Sequence, residues 1–121
     1  MSRTTLVLVG VLSLLWPASA VADIADVLQK LDHGTVADKS FIKTLFIGIG
    51  EGFDTANDQL KMNNKPMLYC MPVTIKLTGD QLIDILRRWA EANRAKAPRM
   101  DAAPPAQALL YALEDAFPCT K

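Results

Sequence analysis

Two cysteines, Cys70 and Cys119, are the only ones in a chain of 121 residues, and they occur as Tyr69-Cys70-Met71-Pro72 and Phe117-Pro118-Cys119. Joined, they close a loop of about fifty residues around two apolar periodic segments, which in the loop-entropy treatment stabilises a fold by roughly 4 kcal/mol. Such bonds persist in oxidising compartments and are rare in cytosol. The start of the chain points the same way. Arg3 precedes an apolar run from Leu6 to Trp16 that is short for a membrane span, and small residues follow at Ala18-Ser19-Ala20 and Ala20-Val21-Ala22. Residues 1–20 therefore read as a signal peptide, with cleavage after 22 as the alternative, and residues 21–121 as one exported domain. A domain of that size buries a modest core, so a covalent staple counts for more.

Loss of Arg3 with the leader leaves twelve Lys and Arg against thirteen Asp and Glu. This balance argues against a nucleic-acid or anionic-membrane partner. No second apolar stretch is long enough to span a membrane.

Helical spacing dominates the rest. Ile24, Val27, Leu28 and Leu31 predict a short helix from Asp23 to Leu31, ended by His33-Gly34. A longer one is expected from Asp38 to Asp58, with Asp38 as N-cap and a stripe of Phe41, Leu45, Ile49, Phe53 and Ala56 that Ile42 and Phe46 widen. Leu60 to Val73 reads as a connector. Thr78-Gly79-Asp80-Gln81 is a capping box before a helix whose stripe is Leu82, Ile85, Leu86 and Trp89. Asn93 to Ala103 is a second connector. Pro104 and Pro105 suit the first turn of a last helix with Leu109, Leu110, Leu113, Ala116 and Phe117 on its apolar side. Val73 to Leu77 alternates over five residues and is expected to be extended without joining a sheet. The fold class is all-α: a small four-helix domain with one intramolecular disulfide.

Few residues suggest chemistry. Gly48-Ile49-Gly50-Glu51-Gly52 lacks the strand and glycine spacing of a dinucleotide loop, and reads instead as a place where another helix approaches. Glu51, Asp54 and Asp58 share one helix face, whereas glycoside hydrolysis needs two carboxylates across a cleft. His33 is the single histidine and falls in an expected turn. With both cysteines oxidised, no thiol–imidazole pair remains, and no Cys/His cluster has metal-ligand spacing. The chain reads as a non-enzyme without cofactor or metal. Arg87, Arg88, Arg94, Lys96 and Arg99 gather near the end of the third helix, where cations complement the helix dipole. Loops on a rigid scaffold often carry binding, so Arg94, Lys96 and Arg99 in the Asn93–Asp101 connector are the candidate partner contacts. Met62, Met67 and Met100 add adaptable apolar surface.

From about Thr44 to Cys119 the chain resembles a known family. The residues that carry this are Cys70-Met71-Pro72, the run Thr78-Gly79-Asp80-Gln81-Leu82-Ile83-Asp84 leading to Trp89, and Pro98 and Pro104. Ala106, Leu109, Leu110, Ala112-Leu113, the closing Ala116-Phe117-Pro118-Cys119 and, upstream, Leu45 to Gly52 complete the pattern. Together they resemble the Tai/Rap immunity proteins, which protect bacteria from peptidoglycan amidases delivered by type VI secretion. The chain departs from that pattern at Ala102, where a histidine is expected, and in a longer Asn93–Pro98 connector. The resemblance implies a periplasmic, disulfide-closed, commonly dimeric helical domain that binds a cognate amidase and occludes its cleft, with no catalysis of its own. The alternative expectation is a periplasmic stress chaperone or envelope accessory protein of the same fold with no amidase partner.

Overall fold

The computed structural model describes residues 23–95 and 101–120, so the expected signal peptide lies outside the described residues. Four helices run in the order α1 (Ile24–His33), α2 (Val36–Met62), α3 (Gly79–Arg94) and α4 (Pro105–Ala116), with no strand among the described residues. The all-α expectation holds.

Each helix start is fixed by a local device. The Asp23 side chain accepts from Asp26 N at 3.1 Å and caps α1. For α2 the cap is Thr35 and not Asp38. Asp38 sits three residues in and answers Thr35: Asp38 N donates to Thr35 Oγ1 at 3.1 Å, and Thr35 N donates to Asp38 Oδ2 at 2.9 Å. Two donors that helix geometry leaves open are satisfied together, which a cap at Asp38 alone would not achieve. The Thr35 backbone N–H and hydroxyl hold the Asp38 carboxyl below its ordinary value of 3.8. The box is complete above that value and is lost as acid protonates Asp38 below it. At α3 the expected box is present, with Gln81 N donating to Thr78 Oγ1 at 3.2 Å and Thr78 N donating to Gln81 Oε1 at 2.9 Å.

α2 runs four residues past the expected end at Asp58. Its stop is a paired-carbonyl turn around Asn64, whose φ of 52° is left-handed. Lys65 N donates to Leu60 O at 2.8 Å and Asn64 N to Lys61 O at 3.1 Å. Asparagine tolerates this conformation better than most side chains, which is why Asn63-Asn64 ends the helix.

The core is built on α3 and α4, the most extensively packed pair, with α2 laid across α3. Leu86, Leu109, Leu113 and Phe46 are fully enclosed. The buried line of α2 is Ile42, Phe46, Gly50 and Asn57, with Phe53 partly covered. The line expected through Phe41 is rotated: Phe41 is 62% exposed, because the face centred on Phe46 meets Leu82 and its neighbours.

Of the three glycines in α2, only Gly50 lies at a close approach. A Cβ there would stand 3.1 Å from Leu82 Cδ1, whereas Gly48 and Gly52 have open space. Gly48→Ala and Gly52→Ala should therefore each stabilise the domain by about 0.5–1 kcal/mol through helix propensity. Gly50→Ala should yield less, since the gain is offset by displacing a buried leucine. Urea midpoints of the three variants check the order; equal gains at all three positions would refute the close approach.

Candidate functional site

The segment between α2 and α3, residues 63–78, shapes the most distinctive surface of the molecule. Its two ends are anchored differently. Cys70 is bonded to Cys119 with a Cα–Cα separation of 4.8 Å, and Cys70 N donates to Phe117 O at 2.8 Å. The expected pairing is present. Downstream, the Thr78 box ties the segment into α3.

A polar clamp holds the middle. Asn57, only 6% exposed, projects from the core line of α2. Its Nδ2 donates to Tyr69 O at 3.0 Å, and its Oδ1 accepts from Leu68 N at 2.7 Å. Tyr69 is itself buried, and its hydroxyl donates to Asp54 Oδ1 at 2.6 Å. The segment thus borrows its backbone partners from a side chain, which a non-helical strip packed on a core requires. Sequence reading passed over both residues. The available signal was that asparagine falls on the apolar face of α2, in register with Ile42, Phe46, Gly50 and Phe53.

Burial, and then the hydrogen bond and charge of Asp54, push the Tyr69 hydroxyl well above its ordinary value of 10.0. In the unfolded chain the phenol ionises near that value, while in the fold it stays neutral. Stability therefore falls as pH rises above 10 and is unaffected by this group below it. Tyr69→Phe should remove that alkaline limb and cost about 1 kcal/mol at pH 7 for the lost hydrogen bond. Unfolding midpoints of both proteins between pH 7 and 11 check this; parallel curves would count against the Tyr69–Asp54 bond.

Between its anchors the segment turns outward. Ile75 N donates to Pro72 O at 3.0 Å, closing a turn with Val73 at its tip, 90% exposed. Ile75 is also exposed. Two hollows flank this turn. One, of about 270 Å³, includes Asp58, Lys61, Met67, Val73 and Ile75. The other, of about 300 Å³, runs from a mouth at Lys43, Glu51 and Lys76 past Ile47, Gly50, Met71 and Leu77 down to Leu82 and Leu113. Its upper wall is tight at Gly79, where a Cβ would lie 2.7 Å from Lys43 Cγ.

The basic cluster near the end of α3 is partly paired within the fold. Arg87 Nη1 pairs with Asp32 Oδ1 at 2.8 Å and Arg94 Nε with Asp101 Oδ1 at 3.5 Å. Both pairs are partly exposed, the setting in which ion pairs add little stability. Arg94 ends α3, exposed, while Lys96 and Arg99 lie outside the described residues. His33 is the exposed last residue of α1 and not a turn residue. Glu51, Asp54 and Asp58 do share the outer flank of α2, but Asp54 is engaged by Tyr69. Among the described residues no group of three His, Cys, Asp or Glu is placed to hold a metal ion.

The disulfide accords with an oxidising, exported compartment, and no described helix is long and apolar enough to cross a membrane. Comparison with protein-family models, with curated proteins and with solved structures returns no match to this chain.

Proposed function

We propose that this domain is a periplasmic immunity-type protein, acting as a homodimer, that binds a peptidoglycan amidase of type VI secretion and occludes its cleft. The observation that carries the reading is the closed frame: Cys70-Met71-Pro72 and Phe117-Pro118-Cys119, the ends of the resembling module, are joined covalently and by a backbone hydrogen bond. Next to that frame the Pro72–Ile75 turn, closed by its own backbone hydrogen bond, projects with an exposed apolar tip. A contact element held in its bound shape loses little entropy on docking. The Arg94-containing connector is the second contact of this reading, joined to a rigid core at the end of α3.

The test uses the mature domain and each peptidoglycan amidase encoded in a neighbouring gene. Stoichiometric co-elution and loss of peptidoglycan hydrolysis are expected, with Val73→Asp weakening inhibition at least tenfold, and charge reversal at Arg94 weakening it less. Sedimentation of the free domain at two protomer masses is expected. Retention of full activity by every such amidase in excess domain removes the immunity reading and leaves the fold untouched.

A further inference from the structure

The hollow between α2, α3 and the Met71–Leu77 strip differs from the rest of the surface in how its polar groups are used. Of its polar side chains Tyr69 is buried and already engaged, while Asp54 and Thr78 stand at the exposed margin. The Tyr69 hydroxyl donates to Asp54 and the Thr78 hydroxyl accepts from Gln81 N. The floor is Leu82 and Leu113, both core residues. What enters must therefore be apolar, since a polar group there would lose water and find no partner.

The mouth is the reverse. Lys76 and Glu51 are exposed and make no side-chain hydrogen bond or ion pair among the described residues, while Lys43 is paired with Asp80 at 2.9 Å. With Asp54 engaged by Tyr69 and Lys43 by Asp80, Lys76 and Glu51 are the unpaired charges of opposite sign around an apolar floor. A volume of about 300 Å³ sits at the lower limit of ligand cavities, roughly 300–1,000 Å³, and suits a small ligand.

We infer that this hollow is a binding site for a zwitterionic ligand with one apolar side chain, a free amino acid such as leucine or phenylalanine. The side chain enters toward Leu82 and Leu113, the carboxylate faces Lys76 and the ammonium faces Glu51. This site is independent of the immunity reading, and it holds or fails whether or not an amidase binds.

Titration of the mature domain with L-leucine, L-phenylalanine, N-acetyl-leucinamide and octanoate, followed by methyl NMR and calorimetry, tests it. The two free amino acids should saturate with a dissociation constant on the order of 0.1–1 mM, the range for about ten heavy atoms. They should shift the methyls of Leu82 and Leu113. N-acetyl-leucinamide, Lys76→Gln and Glu51→Gln should each weaken binding at least tenfold, and both variants should unfold at the wild-type midpoint, since neither side chain has a partner to lose. The proposal is overturned by a lack of saturation up to about 10 mM, by equal binding of octanoate or the acetyl-amide, by wild-type affinity in either variant, or by shifts confined to another surface.

Discussion

Cys70→Ser combined with Cys119→Ser should lower the stability of the domain by about 4 kcal/mol, the largest effect of any change considered for this protein. The bond spans 49 positions and encloses all of α3 and α4. Removing it frees the unfolded chain to explore a loop of that length, and the loop-entropy treatment converts this to about 4 kcal/mol at 25 °C. Domains of this size are stable by about 5–15 kcal/mol in total, so the double variant loses about a quarter or more of that. The native contacts at the site are few by comparison. Cys119 is exposed and Cys70 partly so, which leaves little packing to lose. The Cys70 N to Phe117 O bond should survive in the folded fraction and keep that amide protected from exchange. Urea unfolding with and without reductant provides the measurement: reduced wild type and the double variant should coincide. A loss under about 1 kcal/mol would mean that the unfolded chain is already compact around this loop.

Asn57→Leu is the second large effect, expected at about 3 kcal/mol. Leucine matches asparagine in approximate size but can neither accept from Leu68 N nor donate to Tyr69 O. Two backbone groups are then stranded beside the core, each costing about 1–3 kcal/mol when left unsatisfied, and the transfer gain of an added leucine on an apolar face offsets part of this. Asn57→Asp keeps the acceptor for Leu68 N but sets a carboxylate against the Tyr69 carbonyl, so it should also destabilise. Equilibrium unfolding together with hydrogen exchange at Leu68 separates a local release of the strip from global loss. If Asn57→Leu retains wild-type stability, the strip is held by its other anchors: the disulfide, the Thr78 box, and the Tyr69–Asp54 and Cys70–Phe117 bonds.

The two variants act on one object from opposite sides. The disulfide fastens the 63–78 strip to the end of α4, and Asn57 fastens it to α2. Because Met71 and Leu77 line the hollow whose floor is Leu82 and Leu113, both variants should also change the shape of that hollow. Tyr69 adds the only strongly shifted ionisation among the described residues, which places the pH sensitivity of the strip on the alkaline side.

Much of this architecture was legible in the linear pattern because it depends on near neighbours. The capping box at Thr78 and Gln81 is a contact between residues three apart. The helical periods of Leu82 to Trp89 and Leu109 to Leu113 are local geometry carried into packing. The pairing of Cys70 with Cys119 followed because no other partner existed.

Other features were settled only when distant segments met. Which side of α2 is buried depends on where α3 arrives, and the approach of Leu82 to Gly50 turned Phe41 outward. Thr35 rather than Asp38 became the cap because the reciprocal pair satisfies more of the exposed helix start than either residue alone. Asn57 and Tyr69 meet across twelve positions, and neither residue type declares such a partner. The hollow exists because Leu113, Leu82 and Met71 come from three separate elements, with Lys76 and Glu51 left facing water at its edge. Short-range chemistry in the sequence thus set the four helices and the box at Thr78, and the count of two cysteines set the covalent staple. The assembled core chose the buried faces, the clamp and the open site, because those depend on distances between residues that the chain order keeps apart.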